Sequence, residues 1–377
     1  MPVLSFLKGG FFKGRGARHV GVDIGTASVK VVELAKDGST IVLETYGELE
    51  AYGYLRKLQE SVQLSSLKML ESDVAGMIKE LFGAARVRGK RASMAIPVFS
   101  SFFSLLELPV MKESELVRAI PFQARQIVPV PIGEVILDWE IVGKSVAAPD
   151  AGQPQQKLLV LIVAVPREVV DKYVRIAKLA NIELSGLEVE TFSLVRTLVL
   201  ERTSGAVMIV DFGARATSLT IVDGGSVRAS RSIDIGGAEL TRAIAHSLGV
   251  GTVRAETMKL EQGIAAQGGE AAIMRVLTTI MSSVVQEVDK SAASYFRKYG
   301  QKIGKVILTG GSAPMKGLAS FLADKLARPV EIAFPFSHIK YQAVLEPTLH
   351  EIGPAFTVAV GLALRELVPK SPPSVLS

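Results

Sequence analysis

Residues 19–44 read HVGVDIGTASVKVVELAKDGSTIVLE, and residues 209–231 read IVDFGARATSLTIVDGGSVRASR. Both follow one plan. An apolar strand ends in an aspartate (Asp23, Asp211), then come one residue, a glycine (Gly25, Gly213), a short polar turn and a second strand. A glycine turn (Asp37-Gly38, or Asp223-Gly224-Gly225) leads to a third strand. The copies lie about 190 residues apart, so the expected architecture is a duplicated pair of α/β halves facing each other across a cleft.

The turn chemistry suits a polyphosphate. Gly25 lets backbone N–H groups approach anionic oxygens, Thr26 and Ser28 add hydroxyls, Ala27 keeps the turn small, and Lys30 supplies positive charge. Asp23 would repel phosphate, so its useful task is to hold the water shell of a magnesium ion. One such turn alone is more often an ordinary hairpin. A second one, Asp211-Phe212-Gly213-Ala214-Arg215-Ala216-Thr217, would clamp a phosphate chain and one metal from the opposite side. A third element, Thr309-Gly310-Gly311-Ser312-Ala313-Pro314-Met315, follows an apolar strand and precedes a helix with Leu318, Phe321, Leu322 and Leu326 on one face. Its glycines would let a flat base or ribose lie against the backbone.

Composition narrows the alternatives. Lys plus Arg number 43 against 37 Asp plus Glu, a net charge of +6 without a long basic run, which argues against nucleic acid. The absence of cysteine removes disulfides, thiolate nucleophiles and cysteine-bound metals, and His19, His246, His338 and His350 are too scattered for a metal site. The most apolar run, Leu158–Val165, is far short of the ~20 residues of a spanning helix and reads as a buried strand, so no transmembrane anchor is expected. Residues 1–18 mix Lys8, Lys13, Arg15 and Arg18 with Phe6, Leu7, Phe11 and Phe12 and read as a flexible lead-in, with contact to acidic lipid headgroups as the alternative.

Between the repeats, Leu67, Leu70, Val74, Met77, Ile78 and Leu81 predict a helix over about 66–82, followed by a strand over 91–97. Residues 98–167 then change pattern to strand, helix, strand, strand, with Pro121 expected to kink the helix and 145–156 to form an exposed hairpin.

In order and spacing, the three turns resemble the phosphate-1, phosphate-2 and adenosine motifs of the actin/Hsp70/sugar-kinase superfamily. Ser232-Ile233-Asp234-Ile235-Gly236-Gly237 resembles the strand-Gly-Gly-helix opening of the FtsA, MreB and PilM branches. Ala255-Glu256-Thr257-Met258-Lys259 resembles their helix whose Glu and Lys contact the nucleoside; read without the resemblance, Glu256 and Lys259 are a solvated i,i+3 pair. The insert resembles the 1C subdomain of FtsA and PilM. Residues 21–34, 106–142 and 307–326 resemble the PilM family closely, although Phe122-Gln123-Ala124-Arg125-Gln126 stands where that family usually has F-E-A-E-Q.

The resemblance implies an actin-like (RNase H-like) α/β fold. Its parts would be a flexible segment 1–18, subdomain 1A in two pieces (19–97 and 168–203) around an inserted 1C subdomain of SHS2 type (98–167), and subdomain 2A in two pieces (204–249 and 303–350) around 2B (250–302). A helix over 351–368 would return to 1A, ahead of a disordered tail, 369–377. It implies ATP and Mg²⁺ as ligands, with Asp23 and Asp211 as catalytic and water-mediated metal groups. The nucleotide would be held by Gly25, Thr26, Ala27, Ser28, Lys30, Gly213, Ala214, Arg215, Thr217, Gly236, Gly237, Glu256, Lys259, Gly310, Gly311, Ser312 and Met315. The implied function is a cytoplasmic scaffold of type IV pilus assembly with at most weak ATPase activity. It would sit at the inner membrane by docking the N-terminal cytoplasmic tail of a PilN-like protein, with other platform proteins and motor ATPases as further candidate partners. An FtsA-like division scaffold is the runner-up, although Val368-Pro369-Lys370-Ser371-Pro372-Pro373 forbids the amphipathic C-terminal helix usual there. A small-molecule kinase ranks behind both, since no further acidic turn remains for a general base.

Overall fold

The computed structural model describes residues 17–51, 70–146, 156–199, 205–265 and 271–368. The expectations for 1–16, for the hairpin tip at 147–155 and for the tail 369–377 lie outside these residues. In chain order the elements are β1 (Arg18–Ile24), β2 (Ser28–Asp37), β3 (Thr40–Glu50), α1 (Glu71–Ala84) and β4 (Arg91–Ile96). Next come β5 (Phe102–Pro109), α2 (Glu113–Ala124), β6 (Val135–Val146) and β7 (Gln156–Pro166), then α3 (Arg167–Ala180), β8 (Glu183–Val189) and α4 (Glu190–Leu198). The second half holds β9 (Ala206–Phe212), β10 (Thr217–Asp223), β11 (Ser226–Ile233), α5 (Gly237–Leu248), α6 (Thr252–Glu261), α7 (Ala271–Tyr299), β12 (Ile303–Thr309), α8 (Leu318–Leu326), β13 (Val330–Ile332) and α9 (Glu346–Leu364).

The duplication is visible in the sheets. One runs β3-β2-β1-β4-β8 and the other β11-β10-β9-β12-β13, each an antiparallel meander of three strands extended by two parallel ones. The insert forms its own antiparallel sheet, β5-β7-β6, under which α2 buries Leu116, Ile120 and Ala124. Pro121 stands near the end of α2, which stops at Ala124. In α1, Val74, Met77, Ile78 and Leu81 are buried as their spacing requires, whereas Leu70 precedes the helix and is 67% exposed.

Strand β1 is buried on both faces because apolar layers cover it from either side. One layer is α9, which approaches so closely that a Cβ on Gly21 would lie 2.6 Å from the backbone nitrogen of Ala363. The last helix of the chain therefore completes the first sheet's core, and Lys36 Nζ donates to Leu367 O at 3.3 Å across 331 residues of sequence. Where β8, α4 and α9 meet, Glu188 is fully buried. Its Oε1 accepts from Arg196 Nη1 and from Ser193 Oγ, both at 2.6 Å, its Oε2 accepts from Arg196 Nη2 at 2.8 Å, and Arg365 Nε lies 3.7 Å from Oε2.

One helix bears on the expectation that the chain has no transmembrane anchor. The 29-residue α7 is long and apolar enough by length and composition to cross a bilayer, with a mean hydropathy of 1.2 in its most apolar window. It lays Ile273, Leu277, Met281, Val284 and Val288 into the core of the second half, while Arg275, Glu287 and Lys290 face outward. The segment read as a buried strand, Leu158–Val165, is the central strand β7.

Candidate functional site

The two aspartates end equivalent strands and enter equivalent turns. Gly25 N donates to Ser28 O at 3.0 Å, and Gly213 N donates to Ala216 O at 3.1 Å. Asp23 is paired in register with Lys30 and Asp211 with Ser218, so each carboxylate shares a sheet face with the polar residue opposite it. Lys30 Nζ donates to Ser28 Oγ at 2.6 Å and lies 3.3 Å from Glu48 Oε1. Burial opposes the Lys30 charge, but Glu48, Asp23 and Asp211 outweigh it and hold its pKa above the usual lysine value.

Asp211 of the second half feels the charge of Asp23 in the first. Burial raises the pKa of Asp211 to about 7, the nearby negative charge of Asp23 adds to the rise, and Lys30 offsets part of it. Asp23 is also raised, first by burial and then by Glu48, against the pull of Lys30. A third group, Glu190, is held well above the ordinary carboxylate range by burial and by the charges of Asp23 and Asp211. Its Oε2 accepts Val98 N–H at 3.2 Å. Four acidic groups, Asp23, Asp211, Glu190 and Glu48, around one lysine make a site in which a divalent cation would relieve repulsion. Among the described residues no group of three or more His, Asp or Glu could hold a metal ion directly, which leaves retention through water. Ser218 Oγ, buried opposite Asp211 without a hydrogen-bond partner among the described residues, is the kind of orphaned group that such water would satisfy.

The third motif closes on the second turn. Gly310 has φ +92°, its N–H donates to Pro354 O at 3.0 Å, and a Cβ there would fall 2.5 Å from Asp211 Oδ1 and 2.7 Å from the Phe212 carbonyl. A Cβ on Gly311 would meet nothing within 4 Å, so this glycine borders open space. Ser312 is buried and its N–H donates to Phe212 O at 3.1 Å.

The remaining sequence candidates divide. The helix α5 starts directly on the second turn, where Gly237 N donates to Gly213 O at 2.9 Å and Ala238 N to Ala214 O at 2.8 Å. Gly236 and Gly237 therefore make room for the turn, Ser312 and Lys259. Lys259 is buried, and its Nζ donates to Glu256 Oε2 at 2.8 Å and to Thr241 Oγ1 at 3.2 Å, with burial lowering its pKa. Thr241 Oγ1 also donates to Glu256, so the solvated pair is instead a bracket tying α6 to α5, with the Glu256 side chain reaching solvent. Thr26, Ala27, Ala214 and Arg215 line the accessible turns. Thr217 spends its buried hydroxyl on Ile235 O at 2.7 Å, and Met315 is 2% exposed in the second core.

Glu48, Glu190 and Ser218 were not singled out from sequence. Only the folded chain shows where Glu190 lies. It follows β8, and β8 runs parallel to β4, so it emerges at the carboxyl end of the sheet where Asp23 also ends its strand. Ligands of open α/β sheets gather at such ends.

A family model described as type IV pilus assembly protein PilM matches residues 21–367. Cell division protein FtsA of Bacillus subtilis (strain 168) is 24% identical in an alignment 358 positions long that covers 84% of this chain and 78% of that protein. A solved PilM-PilN type IV pilus biogenesis complex is similar at a TM-score of 0.77 and 26% identity, covering 93% of this chain and 99% of that chain. MreB 5 of Spiroplasma citri bound to AMPPNP is similar in fold at a TM-score of 0.51 and 13% identity, over 93% of this chain and 96% of its own.

Proposed function

This chain belongs to the type IV pilus assembly protein PilM family, and from that membership we propose that it is a nucleotide-binding scaffold that docks the tail of a PilN-like membrane protein. The observation that carries the reading is the pair of matched carboxylate-glycine turns, with Asp23 close enough to raise the pKa of Asp211. ATP with Mg²⁺ is the ligand whose chemistry this arrangement fits. Asp23 and Asp211 would hold the ion through its water, Ser218 would satisfy the same water, and the backbone of the two turns would accept the phosphates. The ion would supply charge neutralisation along the phosphate chain.

Gly311 and the exposed part of Glu256 would border the nucleoside. Gly311→Val is expected to cut nucleotide affinity about 10- to 100-fold, the equivalent of roughly 1–3 kcal/mol of steric conflict. Gly311 is absent from the positive-φ glycines, so the variant should keep the wild-type circular dichroism spectrum. Unchanged affinity in a folded variant would remove the nucleoside from this position.

Turnover is expected to be slow. Glu190 is the third carboxylate that the kinase alternative lacked, but burial and the charges of Asp23 and Asp211 hold its pKa well above the ordinary carboxylate range, which disfavours the ionised form that a general base needs.

The solved relative is a PilM-PilN complex, and the surface we assign to the tail is the insert, residues 98–167, with the adjoining first half. Membrane location would then come from the partner at the cytoplasmic face of the inner membrane. Basic residues near an acidic bilayer contribute about 1 kcal/mol each, but salt and the ordering of a glycine-containing segment erode that gain. The protein is therefore expected to co-float with liposomes bearing a reconstituted PilN-like tail and to stay unbound on bare anionic liposomes at physiological salt. Equal flotation with both would transfer the anchor to this chain's own surface.

A further inference from the structure

The link between β4 and β5 is held from two sides, and both holders border the candidate nucleotide site. Glu190 Oε2 accepts the N–H of Val98 at 3.2 Å from within the first half. From the second half, the guanidinium of Arg215, in the middle of the Gly213-Ala214-Arg215-Ala216 turn, stacks 4.4 Å from the ring centroid of Phe99. The link itself is stiff: Ser100 N and Ser100 Oγ donate to Pro97 O at 3.1 and 2.8 Å, Ser101 Oγ donates to the same carbonyl at 3.1 Å, and Ser101 N donates to Val98 O at 3.0 Å. One residue later β5 begins and pairs with β7 over its whole length, so any movement of Val98–Ser101 is passed to the sheet of the insert.

We infer that Phe99 and Arg215 form a latch across the cleft through which occupancy of the phosphate turns sets the order of the insert. The inference rests on the reading that the cleft takes magnesium-nucleotide. Asp23 and Glu190 belong to the first half and Asp211 to the second, and their mutual repulsion opposes close approach of the two turns. A divalent cation carried in on a phosphate chain removes that repulsion and favours the arrangement in which Arg215 reaches Phe99. Glu190 already holds Val98 from within the first half, so two adjacent residues at the start of the linker turn are fixed. Phe99 and Arg215 are positioning residues in this scheme. The ring lies outside the phosphate turns, and the guanidinium is directed at the ring. Because β5 belongs to the insert assigned to the partner tail, the latch gives the nucleotide a route to that surface, and linkage makes the route work in both directions.

Hydrogen exchange on the full chain tests the latch without the partner. With magnesium and ATP, wild type should show slower exchange in the turns at 25–28 and 213–217 and, as the latch requires, about fivefold or more slower exchange in 98–109, the low end of ordinary coupling. Phe99→Leu, which keeps apolar volume and removes the ring, should retain protection in the turns and lose it in 98–109. Protected turns with an unchanged 98–109 segment in wild type would overturn the latch alone, as would a Phe99→Leu variant that keeps its protection. A large loss of ATP affinity in Arg215→Ala but not in Phe99→Leu would make Arg215 a direct ligand and also overturn it. No protection in the turns themselves would overturn the nucleotide reading, and the latch with it.

Discussion

Glu188→Ala should cost about 3–5 kcal/mol of stability, a large share of the roughly 5–15 kcal/mol available to an ordinary domain. Glu188 is the carboxylate on which Arg196 closes with both terminal nitrogens and near which Arg365 also sits, all three less than a tenth exposed. Its removal leaves two guanidinium charges in a core from which water is excluded, and it strands the Ser193 hydroxyl. The effect should reach beyond one contact, because Arg196 Nη1 also holds Gly361 O at 2.7 Å and so ties α4 to α9. Urea unfolding should show the first transition shifted by that amount. Replacing Glu188 and Arg196 together with leucine and methionine should recover part of the loss, since one of the uncompensated charges is removed with its partner. A single mutant as stable as wild type would mean that solvent reaches this cluster.

Asp211→Asn should weaken magnesium-dependent nucleotide binding about 10- to 100-fold, the usual range when a group that orients a metal's water shell is lost. It should also flatten the pH dependence. In wild type the Asp211 carboxyl is held at about 7. It is therefore mostly protonated at pH 6 and ionised at pH 8, and affinity should rise as pH increases through 7. Stability without ligand should move the opposite way. The folded pKa lies above the unfolded value of 3.8, so the folded chain binds more protons in between, and stability contributed by this group falls as pH rises from about 4 to 7. Titration calorimetry at several pH values checks both signs. An unchanged pH profile in Asp211→Asn would place the titrating group elsewhere, and an unchanged affinity would remove Asp211 from the ion's surroundings.

The duplication was legible because it is written locally. An aspartate, a glycine two residues on and a strand on each side recur at residues 23 and 211, and the two sheets repeat one strand order. Glycine spacing likewise pointed to Gly310 and Gly311, although only the folded chain separates the one pressed against Asp211 from the one facing open space. Glu190 was illegible because its role arises from parallel pairing of β8 with β4, between segments about 90 residues apart. Its neighbour Glu188, two residues earlier, has the same chemistry and sits in the core. Nothing in the string Glu188-Val189-Glu190 says which carboxylate meets arginines and which meets the cleft. Lys259 shows the same limit. Its i,i+3 partner is visible in sequence, but its burial comes from α5 lying over it. Met315 illustrates the reverse error: it follows a glycine motif closely, yet its side chain turns away into the core.

The closing of the first core by α9 also sets a schedule for synthesis. Strands β1 and β2 emerge first from the ribosome, but Val32 and Leu34 of β2 find Phe356, Ala359, Val360 and Ala363 among their core partners only when the final helix is made. Until then one face of a five-stranded sheet is bare, and long-range pairing of this kind is slow and exposed to aggregation. The nascent first half thus depends on the last turns of the chain for its solubility. Lobes joined in this way share one fate in the cell, because a chain that stalls before residue 346 lacks the helix that the earliest strands need.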